Sequence, residues 1–155
     1  MRPLALLAYC IIWLACCAAQ ARSTGILIDD SATLPHDAAL AMRWQQPTPR
    51  GPNGTRMTGT LALRAKLNVG PWLRHSGKIY LVLPAQQPGG VTATWTTQGR
   101  LLPGQVLSGG RTLVYAGPIT APFLEDTVLL TIVVDGRRLQ QLSYHLDFHF
   151  EMDED

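Results

Sequence analysis

The densest cluster of side chains that can bind a metal or transfer a proton lies near the end of the chain, in His145-x-Asp147-x-His149-x-Glu151. Imidazole and carboxylate groups are ligands that Zn²⁺ and related ions accept in proteins. On an extended strand, alternate residues point to the same face and lie about 7 Å apart. His145, Asp147 and His149 are therefore candidate ligands of a divalent metal. The favoured interpretation is a solvated strand face, because a flat strand without a closing loop is a poor chelate.

Signatures of catalysis are missing elsewhere in the sequence. There is no Gly-x-Ser-x-Gly segment around a nucleophilic serine. The three cysteines, Cys10, Cys16 and Cys17, all lie in the apolar N-terminal run, so the rest of the chain has no cysteine that could act as a nucleophile. The glycine-rich segments lack the lysine and the hydroxyl residue of a phosphate-binding loop. We therefore expect that the protein is not an enzyme and that it has no cofactor. A divalent metal at the candidate ligands above is the alternative for the cofactor. A secreted hydrolase with a site built from loops is the alternative.

The residues of the predicted metal site belong to a segment of strict alternation. From Leu142 to Glu151, apolar and polar residues take turns without an exception. This period predicts one amphipathic β-strand with an apolar face toward a core. An Asp135-Gly136 pair precedes it, and such a pair between apolar runs is typical of a tight hairpin. The sequence thus predicts that residues 127–134 and the final strand are joined by a hairpin.

Strand signals recur along the rest of the chain, separated by proline and glycine. They cover residues 26–28, 56–69, 78–83, 91–97, 112–116 and 127–134. Residues 99–110 are expected to form a loop, and no stretch has helical periodicity longer than about two turns. We therefore expect an all-β fold: a single antiparallel β-sandwich of immunoglobulin-like architecture, with about seven or eight strands.

The first residues have the features of an export signal. A basic start at Arg2 precedes the apolar run Leu4–Ala19, and Ala19-Gln20-Ala21 matches a small-x-small cleavage site. Cleavage after Ala21 would make residues 1–21 a secretory signal peptide. Residues 22–155 would then form the β-sandwich domain, without disulfides and without a transmembrane span. Acylation at Cys17 is the alternative processing, and either route leads to the periplasm or the cell surface.

The net charge of +2 hides an asymmetry along the chain. No acidic residue occurs between Ala38 and Leu124, whereas most of the acidic residues follow from Glu125 onward. In one interpretation, acidic and basic strands are neighbours and form stabilising cross-strand pairs. In the other, the basic residues Arg56, Arg64 and Lys66 bind an anionic partner. The acidic end of the chain would be the counterpart of this basic strand, in the same molecule or the next.

These features imply an exported, non-enzymatic binding or assembly module of the bacterial cell envelope or surface. Its partner is expected to be another protein, other copies of itself, or an anionic envelope polymer. The alternative is a periplasmic metal- or anion-binding protein that uses the polar face of the C-terminal strand. Nucleic acid is not an expected partner, because the chain is exported and its total charge is nearly balanced.

Overall fold

The structure, a computed structural model, describes residues 25–34, 39–45, 55–85, 90–138 and 143–154. The predicted signal peptide, its cleavage site and Cys17 lie outside these residues. The described residues form eleven β-strands and two short 3-10 turns, Gly70–Trp72 and Gly136–Arg138. The strands are β1 (Ile26–Leu27), β2 (Ala39–Ala41), β3 (Arg43–Trp44), β4 (Arg56–Asn68), β5 (Ser76–Val82), β6 (Thr92–Thr97), β7 (Gly104–Leu107), β8 (Arg111–Pro118), β9 (Phe123–Asp135), β10 (Ser143–His145) and β11 (His149–Glu154).

Most of these strands belong to two antiparallel sheets. The four-stranded sheet has the order β1-β11-β5-β8, and the five-stranded sheet has the order β3-β4-β9-β6-β7. Strands β10 and β2 form a separate two-stranded ribbon. None of the helices in the described part is long and apolar enough to cross a membrane. The predicted all-β, β-sandwich-like character is confirmed.

The two longest strands, β4 and β9, pair along their whole length. Their register runs from Arg56 opposite Asp135 to Asn68 opposite Phe123. Both alternate between buried and more exposed positions. The outward side chains of β4 are mostly polar, as the sequence period predicts, whereas β9 turns Phe123, Leu129 and Val133 outward and Asp126 inward. Each fully buried aliphatic side chain on the inner face stabilises the fold by about 1.5–3 kcal/mol. This pair is the rigid centre of the five-stranded sheet.

The core lies between the inner faces of the two sheets. Leu63, Trp95 and Leu130 come from the five-stranded sheet, and Leu81 and Phe150 come from the four-stranded sheet; these side chains surround one small apolar gap. All five are at least nine-tenths buried. Trp95 also donates its indole N–H to the carbonyl of Leu102 at 2.9 Å, so its polar atom is satisfied. Trp95 thus anchors the core between the two sheets.

The prediction of one strand over Leu142–Glu151 is wrong. Among its described residues, β10 and β11 are separate strands, with residues 146–148 between them. β10 pairs with β2 in the ribbon, whereas β11 pairs with β1 and β5. Alternation specifies which way side chains point, but it does not specify the partner strand. The alternation of the sequence is therefore unbroken, but the strand is divided in two because its halves pair with strands of different sheets.

The predicted hairpin at Asp135-Gly136 is also wrong. β9 is flanked by β4 on one edge and by β6 on the other. Because both edges of β9 are occupied, the following chain has no place beside it. The chain instead leaves the sheet through the 3-10 turn Gly136–Arg138, where the Asp135 carboxylate accepts a hydrogen bond from the Arg137 amide at 3.1 Å.

Residues 99–110 are not only a loop, because they contain β7. The preceding turn is organised by Asp126, a carboxylate that is 6% exposed. Its oxygens accept hydrogen bonds from the backbone amides of Leu101 at 2.7 Å and Gln98 at 3.2 Å. Gly99 packs directly on this carboxylate, since a Cβ there would lie 2.9 Å from Oδ1. The buried acid thus holds the turn that leads into β7.

The N-terminal segment contacts both sheets. β1 pairs with the last strand, β11, in the four-stranded sheet, as expected of a first strand in its own sheet. A few residues later, Asp29 and Leu34 form bridges to Asn68 and Arg64 of β4. Residues 26–34 therefore connect the two sheets along one side of the molecule.

Candidate functional site

The three residues of the predicted metal site do not share one strand. His145 ends β10, His149 begins β11, and Asp147 lies between them. The side chains of His145 and Asp147 are exposed, and that of His149 is half-buried. Among the described residues, no group of three or more His, Cys, Asp or Glu side chains is arranged to hold a metal ion. Metal binding at these residues stays a prediction.

His149 instead begins a polar cluster on the outer face of the four-stranded sheet. Its Nε2 lies 3.2 Å from Glu151 Oε1, within hydrogen-bond distance. Arg111 Nη2 lies 3.0 Å from Asp153 Oδ2 and 3.8 Å from Glu151 Oε2. The guanidinium also lies on the ring of Tyr80, with Cζ 3.8 Å from the ring centre. Arg111, on β8, therefore bonds to β11 across the intervening β5.

This cluster supplies the counter-charge of the acidic C-terminal strand. Arg111, Glu151 and Asp153 are each only 21–26% exposed at the side chain, so their attraction is screened less than that of a fully exposed pair. Cross-strand pairing of acidic and basic residues is therefore present, as one interpretation of the sequence expected. The partner within the molecule is Arg111, however, and not the basic strand β4, which lies in the other sheet.

The three basic residues predicted to bind a partner have different environments. Lys66 forms an ion pair with Glu125 at 2.8 Å, and its ammonium lies 4.7 Å from the centre of the Phe123 ring. The hydrogen bond and the positive charge of Lys66 lower the pKa of the Glu125 carboxyl below its usual value. Arg56 and Arg64 are exposed, and the structure gives neither guanidinium an ion pair with a described residue. Lys66 is thus engaged within the sheet, while the two arginines are available.

The outer face of the five-stranded sheet carries a continuous field of uncharged side chains. The register places Thr60, Thr131, Thr94 and Gln105 in one row across four strands. We call the whole set the uncharged face; its members are Thr58, Thr60, Ala62, Thr92, Thr94, Thr96, Gln105, Leu107, Leu129, Thr131 and Val133. All are half-buried or exposed. Charged side chains border this face: they lie beyond its two ends on β4 and β9, and Arg43 of β3 lies beside it, opposite Thr58.

Sequence reasoning missed this face, although part of its signal was visible. Thr-x-Thr spacings occur at Thr58 and Thr60 and at Thr92, Thr94 and Thr96. Each spacing alone is typical of any solvated strand face. Only the register of β4, β9, β6 and β7 shows that these positions are neighbours. Leu107 and Leu129, which are 60% and 48% exposed, are the large exposed apolar side chains of this face.

A cleft of about 580 Å³ lies at one end of the uncharged face. It is lined by Thr55, Arg56, Gly90, Thr92, Thr94, Gln105, Val133, Val134, Asp135 and Arg137. Gly90 has φ +64° and nothing lies within 4 Å of the place where its Cβ would be, so the wall is open there.

Two of the three charged side chains that line this cleft, Asp135 and Arg137, are bonded to each other. Asp135 accepts hydrogen bonds from Arg137 Nε at 3.2 Å and Arg137 Nη2 at 3.0 Å. These bonds, together with the one from the Arg137 amide, lower the pKa of the Asp135 carboxyl. The same contact raises the pKa of Arg137. Asp135 lies opposite Arg56 in the register of β4 and β9, but its carboxylate is bonded to Arg137.

Comparisons with protein-family models, with curated proteins and with solved structures found no match to this chain.

Proposed function

We propose that the protein is an exported, non-enzymatic module of the bacterial cell envelope or surface that works by binding. Its β-sandwich, of immunoglobulin-like architecture in this proposal, presents one sheet to a protein partner or to another copy of the chain. The observation that carries the proposal is the uncharged face. It extends over four neighbouring strands and has no partner layer among the described residues.

The composition of the face suits a protein contact. Charged residues are depleted in the buried centres of protein interfaces and are kept at the rims. Here the centre consists of threonine, alanine and aliphatic side chains, and the exposed Leu107 and Leu129 supply apolar area. Sheets bury such faces against a second layer, which a partner can supply. The basic side chains of Arg56 and Arg64 beyond the centre favour a partner with acidic groups at matching positions.

The contacts of the carboxylates support binding rather than catalysis. Glu125 is bonded to Lys66, and Asp135 is bonded to Arg137. Asp126 accepts backbone amides, and Glu154 accepts the indole N–H of Trp72 at 2.7 Å. A general acid or base needs a free face toward a substrate. These acids are engaged in holding strands and turns instead.

A matched pair of alanine substitutions tests the proposed contact. Ala62 lies inside the uncharged face, and Ala116 is exposed on β8 of the other sheet. Sedimentation velocity over a wide concentration range would be measured for the wild type, Ala62→Glu and Ala116→Glu. We expect the wild type to associate, Ala62→Glu to remain monomeric, and Ala116→Glu to behave as the wild type. Equal association of all three proteins would contradict the use of this face. A monomeric wild type would exclude self-association and restrict the partner to a different protein.

Export is tested separately by the mass of the chain recovered outside the cytoplasm. Cleavage after Ala21 gives a chain that begins at Arg22. A lipid-modified chain that begins at Cys17 would show the alternative processing. An intact chain that remains in the cytoplasm would contradict export.

A further inference from the structure

Arg56 lines the cleft at the end of the uncharged face, and no acid among the described residues forms an ion pair with its guanidinium. Arg56 and Asp135 are directly opposite each other in the register of β4 and β9. Such a pair normally forms a cross-strand ion pair. Asp135 is instead bonded to Arg137 through two guanidinium hydrogen bonds and one backbone hydrogen bond. The Arg56 fork is therefore free to bind an anion from solvent.

Arginine is suited to one kind of anion in particular. Its planar fork donates two parallel hydrogen bonds to a carboxylate, and such charge-assisted bonds are about twice as strong as neutral ones. The cleft contains one carboxylate, which is already neutralised, and two guanidinium groups. Its balance of charge therefore favours a ligand with one negative charge.

The remaining lining is rich in groups that bind hydroxyls. Thr55, Thr92 and Thr94 present hydroxyl groups, and Gln105 presents an amide. Hydroxyls and amides both donate and accept hydrogen bonds, which is what a polyhydroxylated ligand requires. Among the described residues that line the cleft, none has an aromatic ring on which a neutral sugar could stack. Recognition of a sugar here must therefore depend on its charge and its hydroxyls together.

We propose that this cleft binds the carboxylate-bearing sugar unit of an acidic saccharide, with Arg56 holding the carboxylate. Thr92, Thr94 and Gln105 bind the ring hydroxyls. The volume of about 580 Å³ lies within the range of about 300–1,000 Å³ typical of small-molecule sites. Because the cleft is open on one side, a longer chain of such units can extend from it. This ligand goes beyond the proposed protein contact. Because Thr92, Thr94 and Gln105 belong both to the cleft and to the uncharged face, the saccharide and the protein partner compete for these residues.

The test is a titration of the ¹⁵N-labelled protein with D-glucuronate, followed by NMR. We expect saturable shifts at the amides of Thr92, Thr94 and Gln105. D-Glucose has similar hydroxyls without the carboxylate, and acetate and inorganic phosphate have the charge without the ring. Each of these three is expected to bind more weakly than D-glucuronate at the same amides.

Arg56→Gln and Arg64→Gln form a matched pair, since both arginines are exposed on the same face of β4. Loss of a charge-assisted hydrogen bond should weaken glucuronate binding about ten-fold or more in Arg56→Gln. Arg64→Gln should change the affinity by less than about two-fold, because only distant charge is lost. Thr94→Val, which keeps the shape and removes a hydroxyl, should weaken binding by an intermediate factor.

Three results would overturn the proposal: no saturable shift at the cleft, equal binding of acetate or phosphate, or equal losses in Arg56→Gln and Arg64→Gln. The last result would show attraction by diffuse charge. Dispersed NMR spectra of the variants would show that they are folded. Because the cleft shares Thr92, Thr94 and Gln105 with the uncharged face, the titration is repeated in Ala62→Glu, in which the protein contact is removed. Binding of D-glucuronate by Ala62→Glu would show the sugar site without the protein contact, and sedimentation of the wild type reports on that contact without the sugar, so either proposal can fail alone.

Discussion

Arg111 lies on the ring of Tyr80, with its Cζ 3.8 Å from the ring centre. The ring belongs to β5, and it supports a guanidinium that reaches from β8 to Asp153 on β11. One side chain thus joins three adjacent strands of the four-stranded sheet. Cation–π contact and ion pairing act on the same group, so the arginine is held on its face and at its edge.

Replacing Arg111 with methionine should lower the free energy of unfolding by about 1–3 kcal/mol, because a charge-assisted hydrogen bond and a cation–π contact are lost together. Urea unfolding measures the loss. Arg64→Met is the matched control, since Arg64 is exposed and lacks an ion pair with the described residues. A similar loss in both variants would show that Arg111 contributes no more than an ordinary surface residue.

Asp126 and Glu125 are adjacent acids with opposite environments, and this difference predicts different costs. Asp126→Ala leaves the amide of Leu101 without its acceptor, whereas the Gln98 amide keeps the Thr127 carbonyl at 3.1 Å; the loss should cost about 1–3 kcal/mol of stability. Glu125→Ala removes an exposed ion pair and should cost much less. Faster hydrogen exchange at the Leu101 amide in Asp126→Ala, without a change elsewhere in β9, would locate the effect in the turn. An unchanged exchange rate would contradict the assigned role.

The ion pair between Lys66 and Glu125 predicts a dependence of stability on pH. The folded-state pKa of Glu125 lies below that of the unfolded chain because Lys66 bonds to the carboxylate. The charged form therefore stabilises the fold above the unfolded-state pKa, and this contribution is lost as the pH falls through the folded-state pKa. In Lys66→Met, an NMR titration should give a higher pKa for Glu125, and acid should destabilise the variant less steeply. An unchanged pKa would exclude Lys66 as the cause.

Zn²⁺ is expected to leave the Tm of the protein unchanged. His145 and His149 lie on different strands, and the guanidinium of Arg111 lies beside Glu151, where it repels a cation. Thermal unfolding with and without Zn²⁺ measures the effect. A rise in Tm that disappears in His145→Ala and in His149→Ala would instead establish the metal site that the sequence pattern predicts.

Local patterns in the sequence were sufficient for the strands that alternate over many residues. β4 illustrates this, because thirteen residues of alternation leave one way to bury the apolar set. The final segment illustrates the limit. Its alternation is as regular as that of β4, yet its two halves pair with strands from different parts of the chain. The residues of the segment itself do not show which strands these are. β7 was missed for another reason: four residues between Pro103 and Ser108 are too few to show a period.

The uncharged face and the cleft depend on the same kind of information. Threonines at alternate positions are visible in each strand, but their rows exist only once the order β4-β9-β6-β7 is known. Likewise, the sequence contains Arg56, Asp135 and Arg137 without showing which arginine takes the carboxylate. The register places Asp135 opposite Arg56, but the turn after β9 brings Arg137 close enough to bond to the Asp135 carboxylate. Charge counts along a chain cannot distinguish these outcomes.

The pairing of β1 with β11 has a consequence for the time course of folding. The four-stranded sheet contains both the first and the last strand described, so it cannot be complete until residues 149–154 are available. Before then, β5 lacks one of its two neighbours, and the inner positions of Phe150 and Met152 are empty. Contacts between such distant residues slow the folding of all-β domains. A chain emerging from a ribosome or a translocation channel would therefore not complete this sheet until residues 149–154 have left it.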